Sequence, residues 1–278
     1  MGKTRALFLV GLLGIALSVP NVRSEVGVQG KTEWKQGKQY LAAGDAGAAK
    51  LVFESLLQQH PNDPDLLLSL AVASLKLRDP QTAESYARRA LAQRPGDAEA
   101  RTLLGWMMME VHRDYGSAVR EYSEVVRLLP GSAEACNNLG VALKKKGDWA
   151  PALESFDRAL KLRAKYPEAL SNRGWLYAER GSWRDARRDF EEALKLNPRD
   201  EAALYGLSRV LREERDYAGA QAALSRLLAV SPNFVYWLEW GRIQLVRYYW
   251  ALLLLAGVFY LYSRFRKVRE SSYGRGSA

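Results

Sequence analysis

The feature that most constrains this chain is a repeat of about 34 residues. Pro61 and Pro95 stand 34 apart, Pro95 and Pro130 stand 35 apart, and Pro198 and Pro232 stand 34 apart. A unit of that length cannot bury its own apolar face and must stack on neighbours of the same kind, so one architecture is expected along the array. Residues 30–234 hold six units of 34 plus one residue, the extra one falling in the third unit near His112 to Ser117. The units begin at Gly30, Pro64, Ala98, Ala133, Pro167 and Glu201. Position 8 then reads Gly37, Ala71, Gly105, Gly140, Gly174 and Ser208, and position 20 reads Ala49, Ala83, Ala118, Ala152, Ala186 and Ala220. Position 32 is proline in five units and Ala164 in the fourth.

Each unit carries two apolar-periodic segments of helix length, split near Gly44, Gly147 or Gly181 and closed by a residue that cannot continue a helix. Two antiparallel helices per unit follow. Small side chains at positions 8 and 20 let paired backbones approach, while Phe53, Tyr122, Phe156, Phe190 and Leu224 at position 24 fill the space beside them. Ala90, Ala159 and Ala193 at position 27 are expected to face the next unit's first helix.

This pattern resembles the tetratricopeptide repeat (TPR) family, with the fifth unit (Leu170, Gly174, Tyr177, Ala186, Phe190, Ala193, Pro198) and the fourth (Leu139, Gly140, Ala152, Phe156, Ala159) matching best. The resemblance implies an all-α solenoid of about six helix-turn-helix units. Gln36 and Arg173 at position 7, Leu56 and Leu227 at position 27, and the lack of bulk at Ser74 and Ala87 depart from the family pattern.

Two apolar segments flank the array. "MGKTRALFLVGLLGIALSVPNVRSE" has a basic start, an apolar run from Ala6 to Val19 and small residues suited to cleavage after Ser24, which predicts a secretory signal over residues 1–24. "VRYYWALLLLAGVFYLYSRFRK" begins at Val246, with Tyr248, Tyr249 and Trp250 before its apolar core and Tyr260 and Tyr262 after it. Aromatic residues at both ends are favoured at two membrane interfaces, and residues 246–263 as a helix rise roughly 27 Å, close to the hydrocarbon thickness. They are expected to form a C-terminal transmembrane helix, with residues 235–245 as a capping and juxtamembrane helix whose Val235, Leu238 and Ile243, at partly helical spacing, cover the sixth unit. Arg264, Arg266, Lys267 and Arg269 follow, so residues 264–278 are expected in the cytoplasm and the array on the outer face of the plasma or inner membrane. The net charge of +10 belongs largely to these ends: they hold nine basic residues against Glu270, which leaves the body nearly neutral. That distribution speaks against nucleic acid as a partner.

The inventory for catalysis is thin. The sequence has two histidines and one cysteine. His60 precedes a unit-closing proline and His112 lies in the lengthened turn, so neither joins a metal-ligand cluster. Cys136 falls at an inward position as a buried thiol. No enzyme activity, metal or cofactor is expected.

In the family, the first helix of each unit lines a concave groove with positions 2, 5, 6, 9, 12 and 13. The resemblance therefore implies a peptide-binding surface containing Trp34, Lys38, Trp106, Asn137, Asn138, Lys144, Asn172, Trp175, Tyr205 and Arg209, with Lys35, Lys145 and Arg212 beside them. Aromatic anchors beside amide and cationic donors suit a peptide. A second reading has Trp106 and Trp175 filling space between adjacent first helices. The set of Lys, Asn and Arg with which some members grip a C-terminal carboxylate is not found, since Val141, Ala202 and Gly206 stand where its other members belong beside Asn172. The expected function is a protein-interaction scaffold of an envelope assembly, recruiting exported or membrane proteins; the alternative is a glycan-binding or polysaccharide-export subunit that stacks sugars on Trp34, Trp106 and Trp175.

Overall fold

The computed structural model describes residues 28–273, so the expected signal segment over residues 1–24 and the end of the tail lie outside it. The described residues form thirteen α-helices and no strand. Six pairs come first: α1 (Val28–Ala43) with α2 (Ala46–Gln59), α3 (Pro64–Lys76) with α4 (Pro80–Gln93), and α5 (Ala98–Met107) with α6 (Tyr115–Leu128). Then follow α7 (Ala133–Lys146) with α8 (Trp149–Leu162), α9 (Pro167–Glu179) with α10 (Trp183–Leu196), and α11 (Glu201–Glu213) with α12 (Tyr217–Val230). A single long helix, α13 (Phe234–Tyr273), completes the chain. The chain divides into two compact units at Ala164, the one repeat end without proline: α1–α8 form the first and α9–α13 the second.

The small residues of the repeat are contact surfaces. All six alanines at position 20 are fully buried. A Cβ added at Gly37 would stand 2.5 Å from the Phe53 ring, at Gly140 2.7 Å from Phe156, and at Gly174 2.9 Å from Phe190. The ring at position 24 thus occupies the volume that a side chain at position 8 would need. Phe190 also blocks Gly206 in α11, where a Cβ would come within 2.3 Å of its ring. One aromatic ring therefore requires glycine in its own pair and in the next.

Capping sets the turns. Asp45, Asp79, Asp114 and Asp216 each accept a hydrogen bond from the backbone N–H three residues on, at the start of a second helix. Such caps satisfy donors that the first helical turn leaves open. In all six units the residue two before the second helix has a left-handed backbone: Gly44, Gly147 and Gly181 in three, but Arg78 (φ 61°), Arg113 (φ 56°) and Arg215 (φ 64°) in the others. Pairs are also tied by a recurring bond: Arg89, Arg158 and Arg226 each donate to the carbonyl of the proline 28 residues earlier, Pro61, Pro130 and Pro198.

The extra residue of the third unit sits slightly earlier than the spacing suggests. It is taken up inside the first helix, as a π-helical turn over Met108–His112, and not in the loop that follows. The wider turn places Met108 and Met109 in a core cluster with Tyr122, which a loop insertion would leave to solvent.

Position 7 holds a polar device in α9. Arg173 donates from Nε and Nη2 to both oxygens of Asp189, at 2.7 Å and 2.9 Å, and Asp189 is buried. The departure of Arg173 from the repeat pattern is thus matched by an acid on the facing helix.

Residues 234–273 form one unbroken helix through Gly241. Tyr236 and Ile243 are buried on its first part, whereas Val235 and Leu238, expected on the same covered face, are exposed. Polar contacts rotate the helix away from the apolar expectation: Glu239 pairs with Arg212, Trp240 donates to Ser225 Oγ at 3.2 Å, and Arg247 donates to Gln221 at 2.8 Å. Beyond them the helix is long and apolar enough to cross a membrane, and none of its most apolar stretch is buried.

Candidate functional site

In the first compact unit, the tryptophans expected as groove anchors are drawn into the core. Trp34 is only 6% exposed and joins the cluster built from α1–α5, and Trp106 packs half-buried against that same cluster. α3 explains why: every residue from Asp65 to Leu75 is buried, so the helix that should line the groove in the second repeat is covered on all sides. Lys38 stands over the Trp34 ring at 4.5 Å, which keeps its charge at the edge of this filled region. Asn137 is buried within α7, while Asn138 and Lys144 on the same helix remain partly exposed. Cys136 is buried beside them, and burial pushes its thiol up, away from the reactive thiolate. His112 meets the Glu84 carboxylate at 2.8 Å on the surface, and His60 caps the end of α2.

The second compact unit builds a more open arrangement. Trp175 on α9 packs edge-on against Phe190 with centroids 5.6 Å apart, and its Nε1 donates to the Ala202 carbonyl at 3.2 Å. Trp175 thus bridges to the next first helix. Its ring is followed by Tyr205 at 6.0 Å and then Tyr236 at 5.5 Å, an aromatic row that runs from α9 across α11 to α13. Burial pushes the Tyr236 phenol up to about 12, so it is neutral at any physiological pH. Asn172 lies half-buried on α9, one turn before Trp175.

Arg209 stacks over Trp175 at 5.3 Å and is otherwise exposed, with no carboxylate at ion-pair distance among the described residues. Beside it opens a cleft of about 290 Å³ lined by Tyr205, Arg209, Arg212, Tyr217, Glu239 and Arg242, with Ile243 and Val246 as its apolar part. Glu239 bridges two of the arginines, at 3.0 Å to Arg212 and 3.4 Å to Arg242. Three guanidinium groups, with Glu239 in the lining and Glu213 beside Arg212 at 3.6 Å, leave the cleft with an excess of positive charge. The repeat spacing points to Tyr205, Arg209 and Arg212. It cannot point to Glu239 or Arg242, which lie on α13 outside the repeat, nor to Tyr217 at the start of α12, which is not one of the groove positions of a first helix.

The repeats now permit comparison with known proteins. A tetratricopeptide repeat profile matches residues 40–107 and 177–238, and a second matches 139–205. The chain belongs to the tetratricopeptide repeat family. Among solved structures, similarity extends to PilF of Pseudomonas aeruginosa, at 22% identity and TM-score 0.66 over 77% of this chain and 96% of that one. PilW, described as a type IV pilus biogenesis factor, is similar at 18% identity and TM-score 0.69 over 76% of this chain and 97% of that one. YrrB, described as a TPR protein with an unusual peptide-binding site, is similar at 19% identity and TM-score 0.52, over 68% of this chain and 97% of that one. At these identities the likeness concerns the TPR fold. No curated protein matches the sequence.

Proposed function

We propose that this TPR protein is a non-enzymatic scaffold held on the outer face of the inner membrane by α13, where it recruits exported or membrane proteins to an envelope assembly. The observation that supports this reading best is α13 itself: a helix that begins by packing on the last repeat continues as an apolar stretch with none of its surface covered. Such surface calls for lipid as its solvent. TPR proteins are protein-binding modules, and the pilus description carried by PilW gives one envelope setting of the required kind.

The recruiting surfaces are proposed to lie on the first helices of each compact unit taken by itself: Asn138 and Lys144 in the first, and Asn172, Trp175, Tyr205 and Arg209 in the second. Trp34 and Asn137 are too covered to anchor a ligand, and half-buried Trp106 borders the surface of the first unit. The same burial weighs against the glycan reading: stacking a sugar needs an open indole face, and Trp34 is buried while Trp175 is packed by Phe190 and Arg209.

A photo-crosslinker placed at Asn138 or Arg209 in the native membrane tests the proposal. Each position should capture an exported or membrane protein, and one placed at Glu191 on a second helix should not. Equal capture from all three positions would remove the groove from the account.

A further inference from the structure

We propose that the cationic cleft between α11, α12 and α13 is a binding site for the anionic headgroup of a membrane phospholipid. The inference rests on the membrane reading of α13 and adds to it a specific lipid contact.

The cleft combines two kinds of surface. It is lined by Arg209, Arg212 and Arg242 with Glu239 as its acid, Glu213 reaches Arg212 from beside it at 3.6 Å, and Ile243 and Val246 are its apolar part. Arg212 is already engaged by Glu239 at 3.0 Å. Arg209 has only the Trp175 ring, and Arg242 keeps 73% of its side chain exposed despite its 3.4 Å contact with Glu239. Two guanidinium groups are therefore open to an incoming anion, and their planar donors match phosphate oxygens two at a time. Tyr205 and Tyr217 line the same space, and each carries a hydroxyl able to donate one hydrogen bond.

Position along α13 selects the source of that phosphate. From Ile243 to Trp250 the helix rises about 10 Å. Tyr248, Tyr249 and Trp250 lie at the start of the uncovered apolar stretch, and rings of this kind settle at the headgroup level of a bilayer. The cleft thus opens within reach of a headgroup, and Ile243 and Val246 lead from the arginines toward the acyl region. A soluble acidic peptide would use the arginines but has no need of an apolar exit that continues into the span.

The test uses the full chain in neutral detergent micelles, with native mass spectrometry reading the lipid retained after phosphatidylglycerol or phosphatidylcholine is added. Phosphatidylglycerol should be retained about tenfold more than phosphatidylcholine, a difference of the size that loss of a charge-assisted contact produces. Arg209→Ala with Arg242→Ala should abolish the preference, the pair Arg209→Lys and Arg242→Lys should keep part of it, and Lys195→Ala should leave it intact. Thermal melting of each variant shows whether it is folded, and the lysine pair preserves the measurement if the alanine pair is not. Equal retention of the two lipids would overturn the proposal, as would a preference that survives the alanine pair in folded protein. Displacement of the lipid by equimolar inorganic phosphate or by hexaglutamate would also overturn it, in favour of a free anion or an acidic peptide. Carbonate extraction of native membranes separates the underlying reading: a chain that stays in the membrane without lipid preference retains its anchor and loses this site, whereas an extractable chain with the preference does the reverse.

Discussion

The second helix of a repeat and the long terminal helix dispose of apolar surface in opposite ways. In α10, Ala186, Phe190 and Ala193 are wholly buried, and the ring of Phe190 is fitted so closely that Gly174 and Gly206 have no room for a Cβ. In α13, Leu252, Leu253, Leu254, Leu255, Val258 and Phe259 are all more than half exposed. A protein partner demands shape, so the repeat alternates small and large residues at fixed positions. Lipid demands only apolar surface, so the helix can be large all round. The difference separates a helix fitted to protein from one whose surface suits the lipid of the proposed membrane anchor.

Perturbing the fitted region should cost most where a buried charge loses its partner. Arg173→Ala leaves the buried Asp189 carboxylate without its two close donors. Unfolding of the full chain should shift by about 3–5 kcal/mol, the range for breaking one side of a buried pair. Chemical denaturation measures it, and Asp189→Asn in the same background should recover part of the loss. Next in size come Gly174→Leu and Ala186→Leu, each overfilling the contact beside Phe190, with an expected cost of about 1–3 kcal/mol or more. Glu191→Leu, on the exposed side of the same hairpin, should cost less than either. If all three melted alike, the small residues would not be the packing contacts described above.

A smaller effect of opposite sign is expected at the left-handed turn positions. Arg78→Gly, Arg113→Gly and Arg215→Gly should each stabilise by up to about 1 kcal/mol, because a left-handed backbone strains a residue with a Cβ, while the freer unfolded chain takes back part of the gain. The smallest effect belongs to α13. Leu254→Ala should leave unfolding of the repeats unchanged in detergent, since its side chain touches none of them; a loss comparable to that of Gly174→Leu would place α13 among the fitted helices and erase the contrast.

The repeat was readable because its physical rule is periodic: Gly37, Gly140 and Gly174 recur where rings need space, and Ala49 through Ala220 recur where helices cross. The turns were half readable, since Gly44, Gly147 and Gly181 announce a left-handed residue and Arg78, Arg113 and Arg215 conceal one. Nothing in the spacing distinguishes a loop insertion from the π-turn at Met108–His112, because burial of Met108 and Met109 decides it. The rotation of α13 escaped for a related reason. Apolar spacing suggested Val235 and Leu238 as covered, but Tyr236 stacking on Tyr205 and Glu239 reaching Arg212 turn another face inward. Groove positions were legible as positions only. Whether Trp34 is an anchor or a core residue depends on the apolar α3 beside it, and that is a property of neighbours.

Protease access in spheroplasts, read on the full chain with epitopes in the repeats and after Ala278, tests the central claim most directly. The account predicts that protease added outside intact spheroplasts digests the repeats and spares a membrane-bound fragment bearing the C-terminal epitope, while lysis exposes both. Repeats protected in intact spheroplasts and degraded only after lysis would contradict it.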